Sequence, residues 1–291
     1  MKTRYFLLVL AAGFLSFTSC TKDSTPLEES SIELADDNAV SEVAFDDILN
    51  TVDNATIIFE NSLPKGELKS GMIVADSCPT ISVANPVTGV WPKTITVDYG
   101  DGCQGFYGSS RKGKIVITLT ERRNVLNATR TITFDNYYFN GIKVEGAKVV
   151  KNAGLNTNQN MVFQISLTGG KLILPDGKTI EREFEHEREW VAGWLTKPVW
   201  DDECLITGTA NGVTINGVVH TNTITTALHW KRVCRFFVSG VIEIKREGLE
   251  NVVINYGTGE CDALATVTTG DISREITLRN RHRLWRKVMT P

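Results

Sequence analysis

Residues 108–114 (GSSRKGK) spell G-x-x-x-x-G-K, the spacing of a loop whose backbone N–H groups cradle phosphates. The chemistry fails one position later. Ile115 stands where a Ser or Thr hydroxyl would hold Mg²⁺, and a strand-like run follows instead of a helix whose N-terminus could meet phosphate. A basic hairpin loop is the expectation. His186, His220, His229 and His282 form no H-E-x-x-H and no i, i+4 pair, so no zinc site is expected. G-x-S-x-G is missing as well, which argues against an α/β-hydrolase. A triad scattered over loops, or two glycosidase carboxylates among 34 acids, would leave no local signature, so a hydrolase stays as one alternative. Asp98, Asp101 and the run Asp201-Asp202-Glu203 offer oxygen ligands for Ca²⁺. The loop YGDGC lacks the register of an EF-hand, and a later copy of it carries Asn255 and Thr258 at the two acidic positions. Solvated turn residues are expected there, with no catalytic residue, metal or cofactor assigned.

Trp190, Trp194 and Trp200 crowd together with Gly193 and Pro198 between them. Aromatic faces on a β scaffold can stack sugar rings, so the three form a candidate glycan site, although core packing is the commoner use of such residues. The basic C-terminus (Arg279, Arg281, His282, Arg283, Arg286, Lys287) reads as a last strand with a charged face.

The clearest chemistry lies at the start. Lys2 and Arg4 precede a ten-residue apolar run, Phe6 to Leu15, too short to span a bilayer and the length of a signal peptide. Thr18 and Ser19 then lead into Cys20. A Cys directly after the cleavage region resembles a bacterial lipobox, in which the thiol receives diacylglycerol; Phe17 stands where the usual pattern has Leu. Residues 1–19 are therefore read as a lipoprotein signal peptide and Cys20 as the lipid anchor. Residues 20–38 hold one Lys against six acids and read as a flexible acidic tether. Lys22-Asp23 resembles a surface-export signal of Bacteroidetes lipoproteins, and Asp23-Ser24-Thr25 that phylum's O-glycosylation triplet.

These features need a body to carry them. The chain has 291 residues, 42% hydrophobic and 22% charged, with 24 Gly and 8 Pro, which excludes disorder and collagen-like repeats. Its net charge of −3 gives no argument for nucleic acid. Val40, Val43, Ala44, Phe45, Ile48, Leu49 and Val52 recur at helical spacing with acids opposite, predicting an amphipathic helix over about 39–54 and a connector to about 70. The helix is expected to lay one apolar stripe on the rest of the body. After Gly71 the pattern alternates with period two, and Asn140-Gly141 and Asn216-Gly217 signal type I′ hairpins. An all-β domain follows over 71–291: an antiparallel sandwich or partly open barrel built of hairpins, not a parallel βαβ sheet.

A weak internal repeat relates KTITVDYGDGC (93–103) to NVVINYGTGEC (251–261), and NG hairpins recur near 140 and 216, so two related halves are expected within one domain. The repeat also selects disulfides. Cys103 and Cys261 are equivalent, and Cys78 and Cys234 precede them by 25 and 27 residues. Cys78–Cys103 and Cys234–Cys261 are predicted, with Cys204 unpaired. One further pattern asks for a partner. Glu181, Glu183, Glu185, Glu187 and Glu189 share one parity of a strand, and Arg279, Arg281 and Arg283 form a ladder of opposite sign. The two rows are predicted to share one solvated face on neighbouring strands.

The segments ITVDYGDGC, GKIVITLT, RTITFDNYYFNGIKVEGAKVV and VVINYGTGECD resemble an uncharacterised family of Bacteroidetes cell-envelope lipoproteins, over roughly residues 90–280. The resemblance implies a mostly β envelope lipoprotein and carries no activity or catalytic residue. The expectation is an outer-membrane lipoprotein, at the periplasmic face or cell surface, with a structural or ligand-binding role. Its partners would be the membrane, through the anchor, and glycans in the alternative of a glycan-binding accessory protein.

Overall fold

Strands buried on one face need apolar residues at every second position, and most of the chain after Gly71 has them. The computed structural model describes residues 29–62, 72–75, 78–84, 87, 89–104, 109–194, 196, 200–234, 237–262 and 264–277. Among these residues one helix, α1 (Glu29–Ser62), precedes fifteen strands. These are β1 (Met72–Ala75), β2 (Thr80–Ala84), β3 (Lys93–Asp98), β4 (Cys103–Gln104), β5 (Ser110–Leu119), β6 (Thr129–Phe139), β7 (Ile142–Leu155) and β8 (Met161–Ile173). They continue as β9 (Thr179–Ala192), β10 (Glu203–Val213), β11 (Val219–Lys231), β12 (Phe237–Arg246), β13 (Val252–Thr258), β14 (Leu264–Thr269) and β15 (Ile272–Thr277). They form one antiparallel sheet, a meander in chain order, with β4 beside β5 on the line of β3. The sheet is not closed. The all-β expectation with one N-terminal helix holds.

The helix differs from its prediction in length and in surroundings. It starts at Glu29, so the stretch 29–38, read above as tether, is helical. Several of its polar groups have partners on the strands and their loops. The Ile215 N–H donates to Asp37 (2.8 Å) and the Asn216 amide to Glu33 (2.8 Å), while Arg246 donates to the hydroxyls of Ser30 and Ser31 (3.1 and 3.2 Å). The expected single apolar stripe is also too narrow. Successive helical residues point 100° apart, so four in a row sample every side. Of Asp46, Asp47, Ile48 and Leu49, the first pairs with β9, the second with β5, and the last two are fully buried. Strands four places apart in the sheet thus meet adjacent helix residues. The sheet is rolled around α1, and the acids opposite the apolar stripe face its inner wall.

Bulges help a sheet to roll. At Gly113, the second glycine of the phosphate-loop lookalike, φ is +80° and an added Cβ would lie 2.0 Å from the Asn136 carbonyl oxygen. The β5–β6 register shifts there, between Lys112 and Lys114. Gly113 is a sheet-bending residue, which explains the motif without phosphate. Asn140-Gly141 takes positive φ at both positions, as a type I′ turn requires. Asn216-Gly217 departs from its prediction: only Gly217 does so, and Thr214 closes a longer loop through the Val218 N–H.

The internal repeat has a structural basis. Asp98 accepts from the Gly100 N–H (2.8 Å) and Asn255 from the Gly257 N–H (2.9 Å), the same side-chain turn before each cysteine. Tyr99 and Tyr256 are both buried beneath it. Cys78–Cys103 and Cys234–Cys261 are the disulfides, with Cα separations of 6.0 and 5.2 Å. Cys204 is unpaired and buried, and burial pushes its thiol up to about 12, which keeps it unreactive.

Residues 180–190 lie in β9 with Glu183, Glu185 and Glu187 exposed and Arg182, Phe184, Arg188 and Trp190 buried, the parity read from the sequence. The partner predicted for the Glu row is corrected. The neighbours of β9 are β8 and β10, and Arg279, Arg281 and Arg283 lie outside the described residues. Across the strands Glu185 faces Ser166 and Thr209, and Glu187 faces Gln164 and Thr207. Lys171 pairs with Glu181 (2.8 Å), and Asn156 and Asn160 donate to Glu189 (2.8 and 2.7 Å), holding its carboxyl below the usual range. One lysine and neutral polar neighbours, not a cationic ladder, relieve the repulsion.

Candidate functional site

The chemistry-bearing groups that converge lie between α1 and the inner wall. The helix sequence contains nine acids and no Lys or Arg. Inner-face positions of the strands supply the opposite charge at Arg111, Arg130, Lys148, Arg182, Arg188 and Arg246, all buried. Arg111 makes a two-pronged contact with Asp47 (3.0 and 2.6 Å), which fixes geometry as well as charge. Arg130 pairs with Asp53. Arg182 donates to Glu42 (2.8 Å) and to Asn38 (2.6 Å).

A cavity of about 30 Å³ opens in this interface, lined by Glu42, Asp46, Lys148, Arg182, His186 and Arg188 among apolar side chains. Such a volume admits roughly one or two water-sized particles. Lys148, 2% exposed, donates to the Phe45 carbonyl (3.1 Å). Burial lowers its pKa to about 8; Asp46 and Asp53 oppose the shift, while Arg188 and Arg130 add to it. Burial likewise takes His186 well below its ordinary value, with Arg182, Lys148 and Arg188 reinforcing the effect, so the imidazole is neutral at pH 7. The cluster concentrates positive charge around a space of a few atoms. It organises charge inside the fold and has no room for a larger substrate.

The lowered Lys148 pKa fixes a pH dependence. Between about 8 and 10.5 the unfolded chain binds this proton and the folded chain does not, so stability rises with pH in that window. Relative to Lys148→Met, the native chain should gain roughly 3 kcal/mol between pH 7 and pH 11. Urea unfolding of both chains across that range measures it, and parallel curves would refute the assignment.

The other candidates do not assemble. Trp190 is buried, and Trp194 meets it at 62° with ring centres 5.6 Å apart, under Arg123 at 4.7 Å. Trp200 is 66% exposed. Two of the three rings thus serve the core, and the trio presents no common face for a sugar. The acidic run is spent on local partners: Asp201 accepts from the Thr196 hydroxyl (2.7 Å), Asp202 lies 3.8 Å from Arg232, and Glu203 pairs with His229 (2.9 Å). Asp98 is held by Gly100 and by Lys114 (3.1 Å). Among the described residues no cluster of three or more His, Cys, Asp or Glu is placed to hold a metal ion. Cys20, Pro198 and His282 lie outside the described residues.

Sequence reasoning missed the inner arginines and Lys148. The signal was the inward parity of β9, where Arg182, His186 and Arg188 alternate with Glu at positions a core would fill with apolar residues. Compared with known proteins, the chain matches no family model, no curated protein and no solved structure.

Proposed function

We propose that the chain is an exported lipoprotein, held at the outer membrane by acylated Cys20, whose rolled sheet has a structural or ligand-binding role. The observation that carries this reading is the order of residues 1–20: basic start, ten-residue apolar run, small residues, then Cys. Two disulfides in the body support an oxidising compartment. The resemblance to Bacteroidetes envelope lipoproteins supports the same address. The helix inside the rolled sheet favours the structural side of the reading, because it fills the volume in which an open barrel could hold a ligand. Eight residues lie between Cys20 and Glu29, a reach of about 30 Å at most, so the body would sit close to the bilayer.

Each acyl CH₂ buried in the bilayer adds about 0.8 kcal/mol, so acylated protein should remain in the membrane fraction through salt and carbonate washes. Cys20→Ala should move it to the soluble fraction. A variant that stays with membranes would overturn the anchor.

A further inference from the structure

We propose that the cavity between α1 and β9 is a binding site for one monovalent, halide-sized anion, held by Lys148 and Arg188. This inference stands apart from the lipid anchor and needs no particular localisation.

Charge requires a counterion here. Lys148, Arg182 and Arg188 bring three positive charges to the cavity wall, Glu42 and Asp46 bring two negative ones, and His186 is neutral. One positive charge is left over. The adjoining pairs Asp47–Arg111 and Asp53–Arg130 cancel internally and contribute nothing to the excess.

Hydrogen bonding is incomplete along the same wall. Arg188 is 5% exposed, yet its Nε has no partner, and its approach to Asp46 is 3.6 Å, beyond a hydrogen bond. Its guanidinium lies over the Trp230 ring, 5.5 Å from the centroid, a contact that satisfies no donor. Lys148 uses one of three ammonium donors, on the Phe45 carbonyl. Arg182, by contrast, is supplied by Asn38 and Glu42. A buried charged donor without an acceptor is destabilising, so these groups favour an occupant. The wall carries one more cation than carboxylates, which selects an anion, and the volume restricts it to a single ion with water rather than a phosphate or carboxylate ligand.

Bromide serves as the probe, because it scatters anomalously and replaces chloride. The full-length chain crystallised from sodium bromide should show an anomalous peak in the cavity, in contact with the Lys148 ammonium and the Arg188 guanidinium. In solution, bromide titrated against sodium gluconate at constant ionic strength should stabilise the chain saturably. At tenfold excess over its Kd the folding equilibrium constant should rise about 11-fold. Lys148→Met and Arg188→Gln should each abolish that gain. Bound anion and the Lys148 proton favour one another, so the pH titration described above belongs in gluconate. Water density without an anomalous signal in the cavity would overturn the proposal, and this test needs no variant to fold. A bromide effect unchanged in both variants would overturn it as well.

Discussion

Asp53→Ala should lower the free energy of unfolding by about 3–5 kcal/mol, because it strands a buried charge. Asp53 sits on α1 and Arg130 on β6, both buried, and the guanidinium also lies over the Phe163 ring at 5.8 Å. Removing the carboxylate leaves Arg130 without its partner in a medium where its charge is poorly solvated. Replacing both members, as Asp53→Leu with Arg130→Met, removes the uncompensated charge and should cost much less than the single change. Urea unfolding of the three chains reads the difference directly. If Asp53→Ala costs under 1 kcal/mol, the figure for an exposed pair, then the helix acids are solvated and do not line an interior.

Phe59→Ala should cost about 3–5 kcal/mol, and Ile58→Ala, one residue away, less than about 0.5 kcal/mol. Phe59 is 0% exposed and meets Trp91 edge-on, with centroids 6.4 Å apart. Ile58 is 41% exposed. The contrast marks where α1 leaves the roll: enclosure is complete near residue 48 and one-sided near 58. Comparable losses at both positions would mean that the last turn is buried all round, against the geometry described.

The strands were legible because period-two alternation survives along the sheet, and the hairpins because Asn140-Gly141 has the chemistry of a type I′ turn. The disulfides were legible through the repeat, which placed Cys103 and Cys261 after equivalent turns and left Cys204 over. The helix was only half legible. Its apolar residues mark a stripe, but its acids read as a solvated face because nothing local shows that arginines from β5, β6 and β9 will surround them. Those partners lie 64 to 142 residues away in sequence. For the same reason the sequence pointed to Arg279–Arg283 for cations, when the relevant ones alternate with the Glu row on β9 itself. Lys148 and Arg188 carry no motif. They become a candidate site only when the roll brings them against Glu42 and Asp46.

The central claim is that α1 is enclosed by the rolled sheet and is part of its core. Native-state hydrogen exchange of the amides of residues 44–56, compared with those of β6 and β9, tests it most directly. An enclosed helix cannot open without opening the sheet, so both sets should exchange through the same global unfolding event, with equal free energies and the same denaturant dependence. Exchange of the helix amides at a much lower free energy, with the strands still protected, would show α1 to be a separately opening element and would contradict the account.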